Sequence, residues 1–154
     1  MADDVTFLMG KFPARLPGEL RYARNHMWAR AEGGRWRFGF TAYAVRLMQD
    51  VYFLDWQVSA GDRVGLLQEI GHIETSKAES DLFAPAGGTI AAFNGALLDD
   101  PSGVNVDTYG AGWLFEMDDC RGEGLMGVEE YHRFLADNWE KTQALIKGKI
   151  NTED

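Results

Sequence analysis

From Met27 to Met117 the apolar residues fall in short runs, and glycine punctuates most of them. Runs of this length suit strands better than helices. Met27–Ala31 and Arg35–Thr41 flank Gly33-Gly34, a pair that readily supplies the positive φ angles of a hairpin turn. In the second run Trp36, Phe38 and Phe40 share one face while Arg35 and Arg37 take the other, the period-two pattern of a half-buried strand. Thr41 is placed to cap a short helix over 42–49. Val51–Trp56 is a compact apolar run that suits a core strand, 59–62 a turn, and 64–71 the lead into another strand. Further strands are expected over 89–93 and 113–117, with a loop carrying Asn94, Asp99, Asp100 and Pro101 between them. Short strands in a chain with 18 glycines indicate a mainly β sandwich or flattened barrel.

The two ends differ from this middle. Residues 1–20 hold Pro13, Pro17 and Gly18 with weak periodicity, so an N-terminal arm that packs loosely is expected. At the other end Val128, Tyr131, Leu135, Trp139, Thr142 and Leu145 recur at steps of three and four, which predicts an amphipathic helix within 127–150. Glu129 and Glu130 at its start and Lys147 and Lys149 near its end complement the helix dipole, and Gly148 is a candidate terminator. The expected organisation is therefore an arm (1–20), a β domain (21–126) and a C-terminal helix (127–150), consistent with one core in 154 residues.

Composition bounds the function. Fifteen Lys plus Arg against 24 Asp plus Glu give a formal charge of −9, which argues against a phosphate-binding surface and so against nucleic acid. No apolar run approaches a membrane span, and the N-terminus lacks the basic start and apolar stretch of a secretory signal, so a cytoplasmic setting is expected. Cys120 is the only cysteine, and His26, His72 and His132 show no ligand spacing along the chain, so no metal site is expected. No Ser/His/Asp, zinc or phosphate-loop constellation suggests an independent enzyme.

One lysine stands out. Glu74 to Asp81 reads ETSKAESD, with Lys77 between the small residues Ser76 and Ala78 and between two apolar runs. Taken alone, that describes a solvated turn lysine as well as a modified one. The stretch resembles the lipoyl motif of the glycine cleavage H-protein family, which runs close to ESVKAASD; Glu74, Ser76, Lys77, Ala78, Ser80 and Asp81 fit it, allowing a one-place shuffle between Thr75 and Ser76. The resemblance continues in LFAPAGGTI (82–90) and YGAGWLFEM (109–117), and upstream in LRYARNHMW (20–28) and FGFTAYA (38–44), so it covers about residues 20 to 135. Biotinyl domains usually flank their lysine with methionine, which Ser76 and Ala78 do not match.

The resemblance implies a lipoyl/biotinyl-type flattened β-barrel with a short helix after the first hairpin and a longer C-terminal helix. It implies lipoate on Lys77, with Glu74 and Asp81 as flanking recognition or cleft residues. It further implies a monomeric, non-catalytic shuttle served by a lipoylating enzyme, moving an aminomethyl group between glycine decarboxylase and aminomethyltransferase, with reoxidation by dihydrolipoyl dehydrogenase. The chain departs from the family pattern where HEW becomes His26-Met27-Trp28, replacing the glutamate that in the family holds the amine of the loaded arm. Ala42 and Val45 stand in place of the aspartate and glutamine of the GITDYAQ segment. Two alternatives stay open on these departures: an H-like lipoyl carrier for another system, such as lipoate relay or sulfur metabolism, and an unlipoylated H-like interaction protein. Trp56 and the C-terminal helix suit either core or a docking surface.

Overall fold

The computed structural model describes the backbone of residues 3–122 and 124–153 and, in the final helix, the side chains up to residue 144. Strands β1 (Val5–Met9) and β2 (Phe12–Leu16) form a hairpin of their own. A six-stranded sheet follows from β3 (Arg21–Tyr22), β4 (Met27–Glu32), β5 (Arg35–Phe40), β7 (Arg63–Val64), β10 (Gly88–Phe93) and β11 (Phe115–Asp118), in the order β3-β4-β5-β11-β10-β7. A smaller sheet takes β6 (Val51–Trp56), β8 (Glu69–Thr75) and β9 (Glu79–Phe83) in the order β6-β8-β9. Every pairing is antiparallel.

The Gly33-Gly34 turn is as expected: both residues have positive φ, +55° and +88°, matching the twist of the flanking strands and setting Glu32 opposite Arg35. Across the same pair, Gly39 faces Trp28, whose indole lies where a side chain would be; a Cβ on Gly39 would come within 2.5 Å of the ring. Only glycine admits that fully buried tryptophan. Phe38 stacks on Phe115 at 5.4 Å, and both join Ile70, Ile73, Leu82 and Ile90 in one core drawn from the two sheets. Trp56 belongs to this core, stacked on Phe93 at 4.9 Å and edge-on to Phe115 at 5.5 Å. The ring is half-buried, and its inner face serves the core.

Thr41 caps α1 (Ala42–Met48) as expected, its hydroxyl accepting from the Ala44 amide at 3.2 Å. The segment read as a loop after β10 contains two short helices, α2 (Gly95–Asp99) and α3 (Gly103–Val106). Asn94 caps the first through its side chain, and Leu97 and Val104 are the residues they bury. One buried residue per helix leaves no periodicity to read.

The N-terminal segment corrects the expectation of a loose arm. It is a hairpin whose Phe7, Met9, Ala14 and Leu16 are all buried, packed on α4 (Val128–Glu153) and α1. Pro13 occupies β2 opposite Leu8, in a two-stranded sheet where every strand is an edge and a missing N–H is tolerated. With Tyr22, Trp28, Tyr43, Tyr131 and Leu135 these residues form a second hydrophobic cluster. Helix α4 is found where the periodicity predicts it, but it continues past Gly148. Among the described residues no helix is long and apolar enough to cross a membrane.

Candidate functional site

Lys77 sits at the tip of the β8–β9 hairpin, in the three-residue connection 76–78, and is exposed. Its backbone is tied from both sides. The Thr75 hydroxyl, on a residue only 5% exposed, accepts from the amides of Lys77 and Ala78 at 3.2 Å each and donates to the Ala78 carbonyl at 3.1 Å. On the outer side the Ser76 amide donates to the Asp50 carbonyl at 2.9 Å, while the Asp50 amide donates to the Ser76 hydroxyl at 3.2 Å. The result is a tip tied on both sides by hydrogen bonds with an exposed lysine at its centre. Thr75 is the residue that sequence reasoning passed over, having treated it and Ser76 as interchangeable.

Strand alternation separates what surrounds the tip into two faces. Ile73 points to the core at 0% exposure, so His72 and Glu74 point outward. Register places His72 opposite Asp81 and Glu74 opposite Glu79. His72 Nδ1 lies 3.3 Å from the Asp81 carboxylate and Nε2 lies 3.9 Å from that of Glu74. Glu69 belongs to the same face: a hydrogen bond to Asp81, and the repulsion between the two carboxylates, raise its pKa. Glu74, next to the tip, and Asp81, further down the hairpin, meet on His72, which spacing along the chain does not single out.

A cleft of about 280 Å³ opens beside the hairpin. Its walls are mostly apolar, from Met27, Phe40, Leu47, Met48, Ile73 and Phe83. Asp81 lies on its rim, yet its carboxylate is engaged with His72. Met27 is 1% exposed. His26 also lines the cleft, with burial pushing its pKa down to about 4 so that it is neutral near pH 7; its Nδ1 lies 2.9 Å from the Tyr131 hydroxyl. Asn25 donates through Nδ2 to the Phe83 carbonyl at 2.9 Å, while its buried Oδ1 has no protein partner. A buried acceptor without a donor costs roughly 1–3 kcal/mol.

Residues 20–138 match the model of the glycine cleavage H-protein family. The chain belongs to that family. Members of the family carry lipoate covalently on a lysine and act as a carrier component rather than a catalyst. Among its relatives is a glycine cleavage system H protein of Pseudoalteromonas translucida, 40% identical over 122 residues, which span 77% of this chain and 94% of the relative. Another, from Myxococcus xanthus, is 37% identical over 78% of this chain and 95% of its own. The crystal structure of a glycine cleavage system H protein from Mycobacterium marinum superposes with a TM-score of 0.68 at 36% identity, covering 79% of this chain and 98% of that one. The expected lipoyl-type β-sandwich is thus the fold of a solved member. The β1–β2 hairpin lies outside the family match, as does α4 beyond residue 138.

Proposed function

We propose that Lys77 carries the lipoyl group and that the chain serves as a shuttle, receiving the aminomethyl group of glycine decarboxylation and presenting it to the next enzyme. The observation that carries this reading is the placement of Lys77, exposed on a hairpin tip held by Thr75 and Ser76, within a chain of the H-protein family. When attached, lipoate supplies a redox disulfide and a thiol nucleophile, neither of which a chain with one cysteine provides internally.

The chain's own residues fit such a group. Amide formation at Lys77 Nζ removes a positive charge that no side chain at the tip relies on for an ion pair, since none of the ion pairs among the described residues includes Lys77. The apolar cleft walls offer a place for an aliphatic arm. Glu74, with its carboxylate outward next to the tip, is suited to contact a lipoylating enzyme. The remaining partners would be glycine decarboxylase, aminomethyltransferase and dihydrolipoyl dehydrogenase.

Incubation with lipoate, ATP and a lipoate ligase should add one lipoyl group by intact mass, and Lys77→Ala should remove the reaction. Folded wild type that stays unmodified under conditions that label another H-protein would leave an unlipoylated interaction protein instead. A second reading has its own observation. Met27 places a buried thioether where the resemblance expects a carboxylate, and Asp81 is turned toward His72, so the cleft offers no free anion to a cationic amine. This favours an H-like lipoyl carrier for another system. Lipoylated protein that glycine decarboxylase cannot load would decide for it.

A further inference from the structure

We infer that the outer face of the β8–β9 hairpin is a binding site for one divalent transition cation of the zinc type, held by His72, Glu74 and Glu79. One ligand atom from each of these side chains lies within 4.8 Å of the others. Three features of the set go beyond an acidic surface. The first is the histidine and its orientation: with Nδ1 engaged by Asp81 at 3.3 Å, the proton belongs on Nδ1, which leaves the Nε2 lone pair toward Glu74 at 3.9 Å. A carboxylate behind one ring nitrogen is the usual support of a histidine that binds metal through the other. The second is that Glu74 and Glu79 are direct cross-strand partners, an arrangement of like charges that destabilises a sheet unless something positive lies between them. No lysine or arginine bridges them among the described residues. The third is that the lipoyl motif quoted above has alanine at the place of Glu79, so modification of Lys77 gives no reason for this carboxylate.

The donor chemistry chooses the ion. One imidazole and two carboxylates, with a fourth position open to solvent, match zinc and its first-row neighbours, whereas calcium and magnesium prefer oxygen alone. Zinc ligands sit about 2.0–2.2 Å from the ion, so the side chains need only rotate inward slightly on a face where all three have room. Spacing along the chain hides the set, because Glu79 arrives from the other strand. It stands independently of what Lys77 carries.

The test uses the full, unmodified chain after chelator treatment, titrated with zinc chloride and separately with calcium chloride by isothermal titration calorimetry. One zinc per chain is expected, with binding weakened at least tenfold in both His72→Ala and Glu79→Gln and unchanged in Lys77→Ala. Calcium should show no saturable binding. Circular dichroism checks that each variant is folded, and Glu79→Gln, on an exposed side chain, keeps the test open if His72→Ala is not. The inference falls if wild type shows no saturable zinc binding, if zinc binding survives loss of His72, or if calcium binds as well as zinc.

Discussion

The cleft makes a quantitative prediction through Met27→Glu. Met27 is 1% exposed on β4, and its neighbour His26 is neutral near pH 7 because burial lowers its pKa to about 4. An introduced carboxylate therefore finds no cation and little water. Full burial raises a carboxyl pKa by up to about 3–5 units, and at the wall of an open cleft roughly 2 units is a fair expectation. At 1.36 kcal/mol per unit, that amounts to about 2.7 kcal/mol. The sign follows from proton binding: with a folded pKa above the unfolded value of about 4.3, the folded state holds the proton more tightly, so the penalty grows from about pH 4.3 to roughly pH 6.3 and stays constant above it. At about 2–4 °C per kcal/mol for a chain of this size, the melting temperature should fall by roughly 5–11 °C at pH 8 and by much less at pH 4.5, relative to wild type at each pH. Met27→Gln, neutral and of similar shape, should show no such pH dependence. An equal fall at both pH values would refute the argument, because the effect would then be packing and Met27 would not stand in a shielded wall.

Thr75→Val removes the acceptor of two tip amides. Water can replace part of it, so a loss of about 1 kcal/mol is expected, with faster hydrogen exchange at Lys77 and Ala78 and slower lipoylation. Unchanged exchange at both amides would mean that the Ser76–Asp50 pair alone fixes the tip. Tyr131→Phe deletes a hydroxyl shared by His26 Nδ1 at 2.9 Å and Thr41 Oγ1 at 3.1 Å on a fully buried residue, and should cost about 1–3 kcal/mol in urea unfolding.

The β pattern was legible where one face is buried and the other wet, since alternation then writes itself into the residues, as in Trp36, Phe38 and Phe40 beside Arg35 and Arg37. It was illegible where a short element buries little, as α2 and α3 do. The N-terminal hairpin was obscured because Pro13 and Pro17 suggest irregular chain, and nothing local reveals that Phe7 will meet Tyr43 at 5.8 Å and Trp139 at 5.6 Å. At the site, the lysine and its small neighbours could be read directly. The convergence on His72 could not, because it depends on the register between β8 and β9 that the three-residue tip sets.

The N-terminal hairpin and α4 bear on the cleft through His26, α4 by residues that lie within the family match. This residue has φ +69°, a left-handed conformation uncommon in a non-glycine residue, and it sits directly before Met27. Backbone bonds hold it there, from its amide to the Ala23 carbonyl at 3.1 Å and from the Thr41 amide to its own carbonyl at 3.1 Å. Its ring is fixed by the Tyr131 hydroxyl of α4 and packs 4.9 Å from Tyr43 of α1. Phe7 of β1 closes the back of the same cluster against Tyr43, His132 and Trp139. The wall that carries His26 and Met27 is thus braced from behind by β1 and α4. Mechanical continuity of this kind means that the hairpin and helix stabilise the conformation of the cleft, and that their loss would be felt at Met27 before it was felt at the Lys77 tip, which is held by Thr75 and Asp50 on the opposite sheet.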